Sequence, residues 1–263
     1  MAENKGVVLY DNVLKHDGIS IAETAASISG FEFTNAIDWR DFSLFRVASG
    51  TTNTIDATVA QDELIDAVGV YVRSYTGTGN NNITVQYESS AGVFTTLVDY
   101  VGVGGKLSLN LFSQVTVLAG RRIRFICSAG TADFDIRQIA IGQRLEFQRG
   151  QWDGVTPYNF DQSVIADSTV SVNGSILGRS LIRVERSATI DLSYVKNDWM
   201  RQYWQPFQVA AAKHAFFYQW SQIYPLEVAF ATALKLDAPT QMAQDHMNVT
   251  MPLRCLISDN NVI

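Results

Sequence analysis

The residues best suited to chemistry lie together in one predicted loop. Trp39 offers an aromatic face, Arg40 a fork of donors and Asp41 a carboxylate, and a second ring follows at Phe42. An aromatic surface beside a few convergent polar groups is a common way to hold a small polar ligand such as a sugar. We therefore predict that Trp39, Arg40 and Asp41 bind a ligand. The alternative is that Trp39 closes one end of a β-sandwich core.

The histidines do not predict a metal site. His16, His214 and His246 lie far apart in the sequence. None has a second histidine, a cysteine or a carboxylate at the spacing typical of zinc ligands. We predict no metal and no cofactor.

Two pairs of acidic residues could carry out hydrolysis. Glycoside cleavage needs two carboxylates that face each other across a bond, and Asp38 with Asp41, or Asp133 with Asp135, could be placed so. Acidic residues in loops beside strands are more often turn residues, cap residues or calcium ligands. No G-x-S-x-G nucleophile motif is present. We predict that the chain is not an enzyme and keep hydrolysis of a surface polysaccharide as an alternative.

The amino-acid composition limits the classes of molecule that the chain is expected to bind. The chain has 263 residues, 47% of them hydrophobic and only 17% charged, with a net charge of −6. Charged residues usually make up about 25% of a sequence, so we expect part of the surface to be buried against other subunits. The negative charge argues against nucleic-acid binding. The run Arg121–Arg124 is interpreted as the polar face of a strand rather than as an anion site.

Neither export nor a membrane span is predicted. The first residues lack the apolar core of a signal peptide, and the most apolar later run, Ile223–Leu236, is too short to cross a bilayer and carries two charges. We expect synthesis in the cytoplasm. Cys127 and Cys255 lie at strand-like positions and are predicted to be reduced core residues, with a disulfide between them as the alternative.

Short alternating segments dominate residues 1–147. Ile65–Tyr75 and Ile83–Glu88 alternate apolar and polar residues around a Gly/Asn-rich stretch, which predicts a hairpin. A first strand is predicted at Val7–Leu14, and further strands at Lys106–Ser113 and Arg122–Ser128. The number of short strands predicts an antiparallel β-sandwich domain over residues 1–147.

This part of the chain resembles the discoidin (coagulation-factor type C) jelly roll. The resemblance covers about residues 27–147 and rests on five segments: NAIDWRDF, IDAVGVYVRSY, ITVQYESSAGVFTTL, RRIRFICSAG and IRQIAIGQRLEF. It implies a jelly-roll fold and, from the family, glycan or lipid binding. The family's D-x-x-x-x-T-x-W signature is absent in that form, because Trp39 directly follows Asp38.

A second domain is predicted over residues 148–263. Its most informative segment is Ala188–Trp220, where strand alternation gives way to a helical aromatic stripe and then returns. Asn197 is the expected helix cap, and Pro206 should kink or break the helix. The predicted module is α+β, with one helix on an antiparallel sheet.

This second half resembles modules of bacteriophage tail-tip proteins, of the distal tail and minor tail class. The segments concerned are GRSLIRVERSATIDLSYV, WMRQYWQPF, AFFYQW, YPLEVAFATAL and MNVTMPLRCL. The resemblance implies a virion structural protein that assembles with copies of itself into a ring, a hexamer or a trimer, and contacts other tail proteins and a host-surface glycan. The alternative is a carbohydrate-binding adhesin module without a role in a tail.

The surface of such an assembly is predicted from charge and from the aromatic stripe. Arginines interleave with acidic residues on a predicted sheet edge, where they could pair across subunits and fix register; a solvated face is the alternative. The predicted assembly residues are Arg179, Arg183, Arg186, Trp199 and Trp204.

Overall fold

The computed structural model describes residues 5–24, 28–40, 42–73, 81–101, 107–150, 156–157, 160, 162–170, 173 and 176–256; for 101, 162–170 and 176–185 the backbone alone is described. Strands dominate this part of the chain, and the described residues contain one helical segment longer than a single turn. The strands are β1 (Val7–Leu9), β2 (Ser20–Glu23), β3 (Phe45–Val47), β4 (Thr52–Thr58), β5 (Glu63–Val72), β6 (Asn82–Ser90), β7 (Val93–Val101), β8 (Leu107–Val117), β9 (Arg122–Ser128), β10 (Phe134–Gly142), β11 (Leu145–Glu146), β12 (Gln162–Val170), β13 (Ile176–Lys196), β14 (Phe216–Gln219), β15 (Val228–Ala233), β16 (Thr240–Ala243) and β17 (His246–Leu256).

Strands β2 to β10 form an antiparallel β-sandwich. One sheet has the order β2-β4-β9-β6-β7 and the other β3-β10-β5-β8. In β9, residues 123, 125 and 127 are buried and alternate with half-exposed arginine, isoleucine and serine residues, because successive strand side chains point to opposite faces. The two inner faces enclose a core that includes Phe45, Ile55, Val85 and Phe125. The fold class predicted for this half is confirmed.

The predicted hairpin between the segments at Ile65 and Ile83 is wrong. Strand β5 pairs with β10 and β8, whereas β6 pairs with β9 and β7, so the two segments lie in opposite sheets. Alternation identifies the buried face of a strand but says nothing about its neighbour. The Gly/Asn-rich stretch 74–80 between them lies outside the described residues.

An eight-stranded sheet forms the second layered unit, with the order β11-β1-β14-β15-β17-β13-β12 and β16 beside β17. Its first two strands come from the N-terminal part of the sequence. Strand β1 is shorter than predicted and lies between β11 and β14, with Val8 opposite both Leu145 and Tyr218. The boundary at 147/148 stays a prediction, but residues from both sides of it complete this sheet.

A helix packs on one face of the eight-stranded sheet, as predicted. It consists of α1 (Asn197–Trp199), a π-helical turn (Met200–Trp204) and α2 (Gln205–Ala211). The π turn lies directly before Pro206, where the wider i→i+5 bonding accommodates a residue that lacks an N–H. Asn197 is not the cap: Lys196 holds that position without a side-chain bond, and Asn197 instead donates to the carbonyl of Gln244.

The other face of the eight-stranded sheet packs on the β3-β10-β5-β8 sheet of the sandwich. Phe217 and Phe230 from the eight-stranded sheet meet Ala67 and Tyr71 of β5 in a common apolar layer. Gly69 permits this approach, because a Cβ there would lie 2.6 Å from the Phe217 ring. The described part of the chain therefore forms four layers: two sandwich sheets, the eight-stranded sheet and the helix.

Strand β13 exchanges partners along its length. Residues 176–186 pair with β12 and residues 186–196 pair with β17, and the change occurs at Arg186. In the described part of the chain, the first half of β13 and all of β12 form a two-stranded ribbon, the β12–β13 ribbon. At about 3.3 Å per residue its nine-residue strand β12 spans about 30 Å.

Candidate functional site

The predicted ligand loop is held in place by Asp38. Its carboxylate accepts hydrogen bonds from the Arg40 backbone N–H at 2.8 Å and from the Ser43 hydroxyl at 2.8 and 2.9 Å. These bonds close a tight turn in which Trp39 has a left-handed φ of 64°. The role of Asp38 is therefore to shape the loop, and its proposed catalytic partner Asp41 lies outside the described residues.

Trp39 lies between the sandwich and the eight-stranded sheet. It is 8% exposed, and its ring stacks on His214 with centroids 5.1 Å apart and planes 6° apart. It also lies nearly parallel to Phe230, at 6.3 Å. Trp39 thus does not close the end of the sandwich, and it is not an open plate for a sugar. The exposed ring of the loop is Phe42, which is 77% exposed.

A pocket of about 460 Å³ opens beside this loop. Three parts of the chain form its wall: the loop around Trp39, the segment that follows α2, and strands β15 and β17. It brings together two of the three predicted ligand residues with groups from the second half of the chain. The lining residues are Trp39, Arg40, Phe42, Ala211, Ala212, Lys213, His214, Ala215, Phe230, Thr232, Ala233, Arg254 and Leu256.

The polar groups of the pocket are mainly cationic. Arg40 stands over the Phe42 ring with its Cζ 5.9 Å from the ring centroid, and its Nε lies 4.0 Å from the Asp38 carboxylate. His214 Nδ1 lies 3.0 Å from the Ala215 carbonyl. Because a carbonyl oxygen only accepts, Nδ1 carries the proton, and in the neutral ring Nε2 is an acceptor. The pocket thus combines an exposed ring with several donors and with acceptors such as the Thr232 hydroxyl.

The second carboxylate pair is occupied by structural contacts. Asp135 binds Arg46 through two bonds, of 2.6 and 2.9 Å, and Asp133 accepts from the Ser49 backbone N–H at 3.0 Å. A bidentate arginine contact is strong and fixes the orientation of the carboxylate. Neither residue lines the pocket.

The arginines of β9 are also paired, on the outer face of the five-stranded sheet. Arg122 donates to Glu88 at 2.9 Å and Arg124 to Asp56 at 2.7 Å. The Arg122 hydrogen bond, together with the Gly92 backbone N–H, lowers the pKa of Glu88 to about 2. Both guanidinium groups lie over the Phe94 ring. This arrangement agrees with the interpretation of these arginines as the polar face of a strand.

The predicted assembly residues do not form one exposed surface. Arg179 and Arg183 lie in the β12–β13 ribbon, opposite Ser168 and Ile165, and their backbone alone is described. Arg186 is buried within its own chain. On the helix, Trp199 is half-buried against the core and Trp204 is 1% exposed.

The prediction that Trp204 contacts a second copy of the chain therefore requires a correction. Its ring packs edge-on against Phe207, with centroids 5.1 Å apart, and lies 6.3 Å from Phe147. A side chain so enclosed has no surface to offer a second copy. Its large apolar ring explains the burial, and the aromatic stripe serves the contact between helix and sheet.

The histidines serve different roles. His16 bridges the carboxylates of Glu63, at 2.9 Å, and Asp11, at 3.0 Å, while His214 belongs to the pocket. Among the described residues, no three of the His, Cys, Asp and Glu side chains cluster in a way that could hold a metal ion. Cys127 and Cys255 are both buried and unbridged, as predicted.

No helix in the described part of the chain has the length and apolar character needed to cross a bilayer.

Half of the pocket was not identified from the sequence. Lys213, His214 and Arg254 lie in the second half, and nothing in their local pattern marks them as neighbours of the Trp39 loop. A weak signal was available: the predicted strands around Phe230 and Cys255 place Thr232 and Arg254 near strand ends, where binding groups often lie.

Comparisons with known proteins give only distant similarities. No protein-family model matches the chain, and no curated protein matches it. Among solved structures, a fucosidase from Ruminococcus gnavus in complex with fucose is 18% identical over 52% of this chain, with a TM-score of 0.43. This chain spans 28% of that fucosidase's length.

Two smaller structures are matched over nearly their whole length. The chitosan-binding module 1 of a chitosanase/glucanase from Paenibacillus is 14% identical over 51% of this chain and 99% of its own, with a TM-score of 0.41. CpGH89CBM32-6 from Clostridium perfringens is 15% identical over 51% of this chain and 99% of its own, with a TM-score of 0.40. At these TM-scores the similarities carry no argument about what this chain binds.

Proposed function

We propose that this protein binds carbohydrate in the pocket between the Trp39 loop and the eight-stranded sheet. The observation that carries the proposal is the exposed Phe42 ring at the mouth of a pocket of about 460 Å³ with polar groups on its walls. Ligand pockets usually measure about 300–1,000 Å³. This pocket is therefore of a size to take one or two sugar units.

The chemistry of the walls fits a sugar. Phe42 and the apolar side chain of Leu256 offer surface to the C–H groups of a sugar ring, while Arg40 and Thr232 offer hydrogen bonds to its hydroxyls. The Asp38 turn fixes the backbone of the loop at Arg40 before any ligand arrives. A preformed site loses less conformational entropy on binding.

A glycan array tests this proposal, with Phe42→Ala as the diagnostic variant. A stacked ring contact contributes about 0.5–1.5 kcal/mol, so we expect Phe42→Ala to weaken binding roughly two- to tenfold. Phe160→Ala is the matched control, because Phe160 is exposed to the same degree (76%) and does not line the pocket.

Two results would contradict the proposal. Glycan binding that is equally strong in Phe42→Ala would remove the pocket as the site. A folded wild-type protein that retains no glycan on a broad array would remove carbohydrate binding itself.

A second candidate function is a structural role in a virion, as a component of a phage tail tip that assembles into a ring and contacts other tail proteins. The β12–β13 ribbon favours it. Isolated two-stranded ribbons are marginally stable in water, and in the described residues the outer edge of β12 has no neighbour. Such an edge is a template for a strand of another chain.

Light scattering tests the virion candidate. A ring requires a mass that is a multiple of 29.1 kDa, three- or sixfold for the expected trimer or hexamer. Arg183→Glu in the ribbon should reduce assembly without lowering the melting temperature, whereas Arg201→Glu on the exposed helix surface should change neither. A strict monomer at high concentration would exclude this candidate.

A further inference from the structure

The cations of the pocket are unusual for this chain. The protein has a net charge of −6, yet Arg40, Lys213 and Arg254 line one pocket together with His214. No aspartate or glutamate is found among the lining residues that the structure describes. The described lining residues therefore carry a charge opposite to the net charge of the chain, and a binding cleft lined by one sign of charge favours a ligand of the other sign.

Each cation comes from a separate part of the fold. Arg40 is on the loop fixed by Asp38, Lys213 lies two residues beyond the end of α2, and Arg254 lies on β17 directly opposite Thr232 of β15. Their convergence depends on the packing of the sandwich against the eight-stranded sheet. Three cations brought together by tertiary structure define a site more strongly than three on one exposed strand.

Lys213 is the cation most available to a ligand. Its side chain is exposed at the pocket, and it forms no ion pair with a carboxylate among the described residues. Arg40 is only weakly engaged, since its Nε lies 4.0 Å from Asp38. A carboxylate brought by a ligand would form charge-assisted hydrogen bonds with these groups, which are about twice as strong as bonds between neutral partners.

We propose that the pocket selects a sugar that carries a carboxylate, such as a hexuronate unit of an acidic polysaccharide, over the neutral sugar of the same configuration. This inference rests on the proposed function. The carboxylate binds between Lys213 and Arg40, and the sugar ring lies along Phe42. The apolar wall at Phe230 and Leu256 explains why a sugar ring, and not a bare anion, fits the remaining volume.

Binding of two matched glycosides tests the inference. Methyl glucuronide and methyl glucoside differ only at C6, where one has a carboxylate and the other a hydroxymethyl group; methyl galacturonide and methyl galactoside form a second pair. Ligand-observed NMR and calorimetry at constant ionic strength should give at least a tenfold higher affinity for the uronide of one pair. Added salt should reduce that preference, because salt screens exposed charges.

Variants connect the preference to the pocket. Lys213→Gln should lower the ratio of uronide to neutral affinity about tenfold, and Lys213→Arg should restore most of it. Lys235→Gln is the matched control, because Lys235 is an exposed lysine outside the pocket and pairs with Asp237. Both glutamine variants concern exposed side chains, and an unchanged melting temperature confirms that they fold.

The outcomes separate this inference from the proposed function. Equal affinity for uronide and neutral glycoside, with binding still sensitive to Phe42→Ala, overturns the inference and leaves carbohydrate binding intact. Binding of neither pair, and of no glycan on the array, overturns both. Inorganic phosphate that binds as tightly as the uronide, and displaces it, overturns selection of a sugar and leaves only an anion site.

Discussion

Neighbouring side chains of the Trp39 loop have different roles at the pocket. Trp39 and Arg40 of the predicted ligand loop line the pocket, and Asp38 closes the turn, as acidic residues in loops often do. The roles within the loop are distributed differently: Trp39 forms part of the wall and Phe42 presents the open ring. Burial depends on which element covers a side chain, and that information is not local.

Trp204 gives a direct test of the aromatic core. It is almost fully buried and packs against Phe207 and Phe147. Trp204→Ala should reduce the free energy of unfolding by about 3–5 kcal/mol, the usual cost of removing a large buried aromatic side chain. Urea denaturation measures this. Tyr203→Ala, the exposed neighbour, should cost well under half as much; a loss below about 1 kcal/mol for Trp204→Ala would contradict the packing.

His16 gives a prediction about pH. Burial lowers the pKa of His16, but its hydrogen bonds to Glu63 and Asp11 outweigh that effect, and the pKa in the folded protein is raised above 6.5. The folded state therefore binds the proton more tightly than the unfolded chain. The stabilisation from this bridge is fully present below pH 6.5 and is lost as pH rises from there through the folded pKa.

Denaturation at a series of pH values measures the His16 effect. We expect the unfolding free energy of the wild type to fall as pH rises above 6.5, and His16→Gln to remove that part of the slope. Glu63→Gln should remove it too, because the carboxylate at 2.9 Å is the closer partner. A slope that is identical in His16→Gln and the wild type would show that the bridge does not control it.

At the scale of elements, the alternating patterns predicted well where strands lie in the sequence. They predicted poorly which strands pair with each other. Residues 65–72 were recognised as a strand with valines on one face, and those valines do face the sandwich core. The other face of the strand carries Ala67, Gly69 and Tyr71, and it is buried as well. Small residues on the second face were the available signal that another sheet covers this strand. The helix was likewise recognised, but the π turn before Pro206 follows from bonding that periodicity does not resolve.

Gly69 tests the contact between sandwich and eight-stranded sheet. Any Cβ at this position would lie within 2.6–2.8 Å of the Phe217 ring, which is closer than atoms can pack. Gly69→Ala should therefore cost about 1–3 kcal/mol, as overpacking of a well-filled core usually does. Thermal or chemical denaturation measures it. Gly92→Ala is no suitable control, because φ at Gly92 is 77° and any side chain there would be strained. The control is Ala91→Gly in the exposed β6–β7 turn, which should change the free energy of unfolding only slightly.

At the scale of the whole molecule, sequence order and spatial order differ. The predicted first strand of the sandwich, β1, lies instead inside the eight-stranded sheet, where it joins β11 to β14. Pairing between segments at opposite ends of a chain is set by tertiary packing, and local alternation is compatible with many neighbours. The pocket depends on the same arrangement, because its walls come from both halves. This is why one half of the site could be predicted and the other could not.

The exchange of strands predicts that the two halves do not fold independently. A fragment of residues 148–263 lacks β1 and β11, so one edge of β14 loses its partner β1 and the apolar layer around Phe217 and Phe230 is open to water. We expect this fragment to be unfolded or aggregated, and the full chain to unfold in one cooperative transition seen equally by tryptophan fluorescence and circular dichroism. A fragment with dispersed NMR signals and its own melting transition would contradict this and would support a domain boundary at 147/148. Adding residues 5–15 to the fragment as a separate peptide provides the control: recovery of structure on addition would identify β1 as the missing strand.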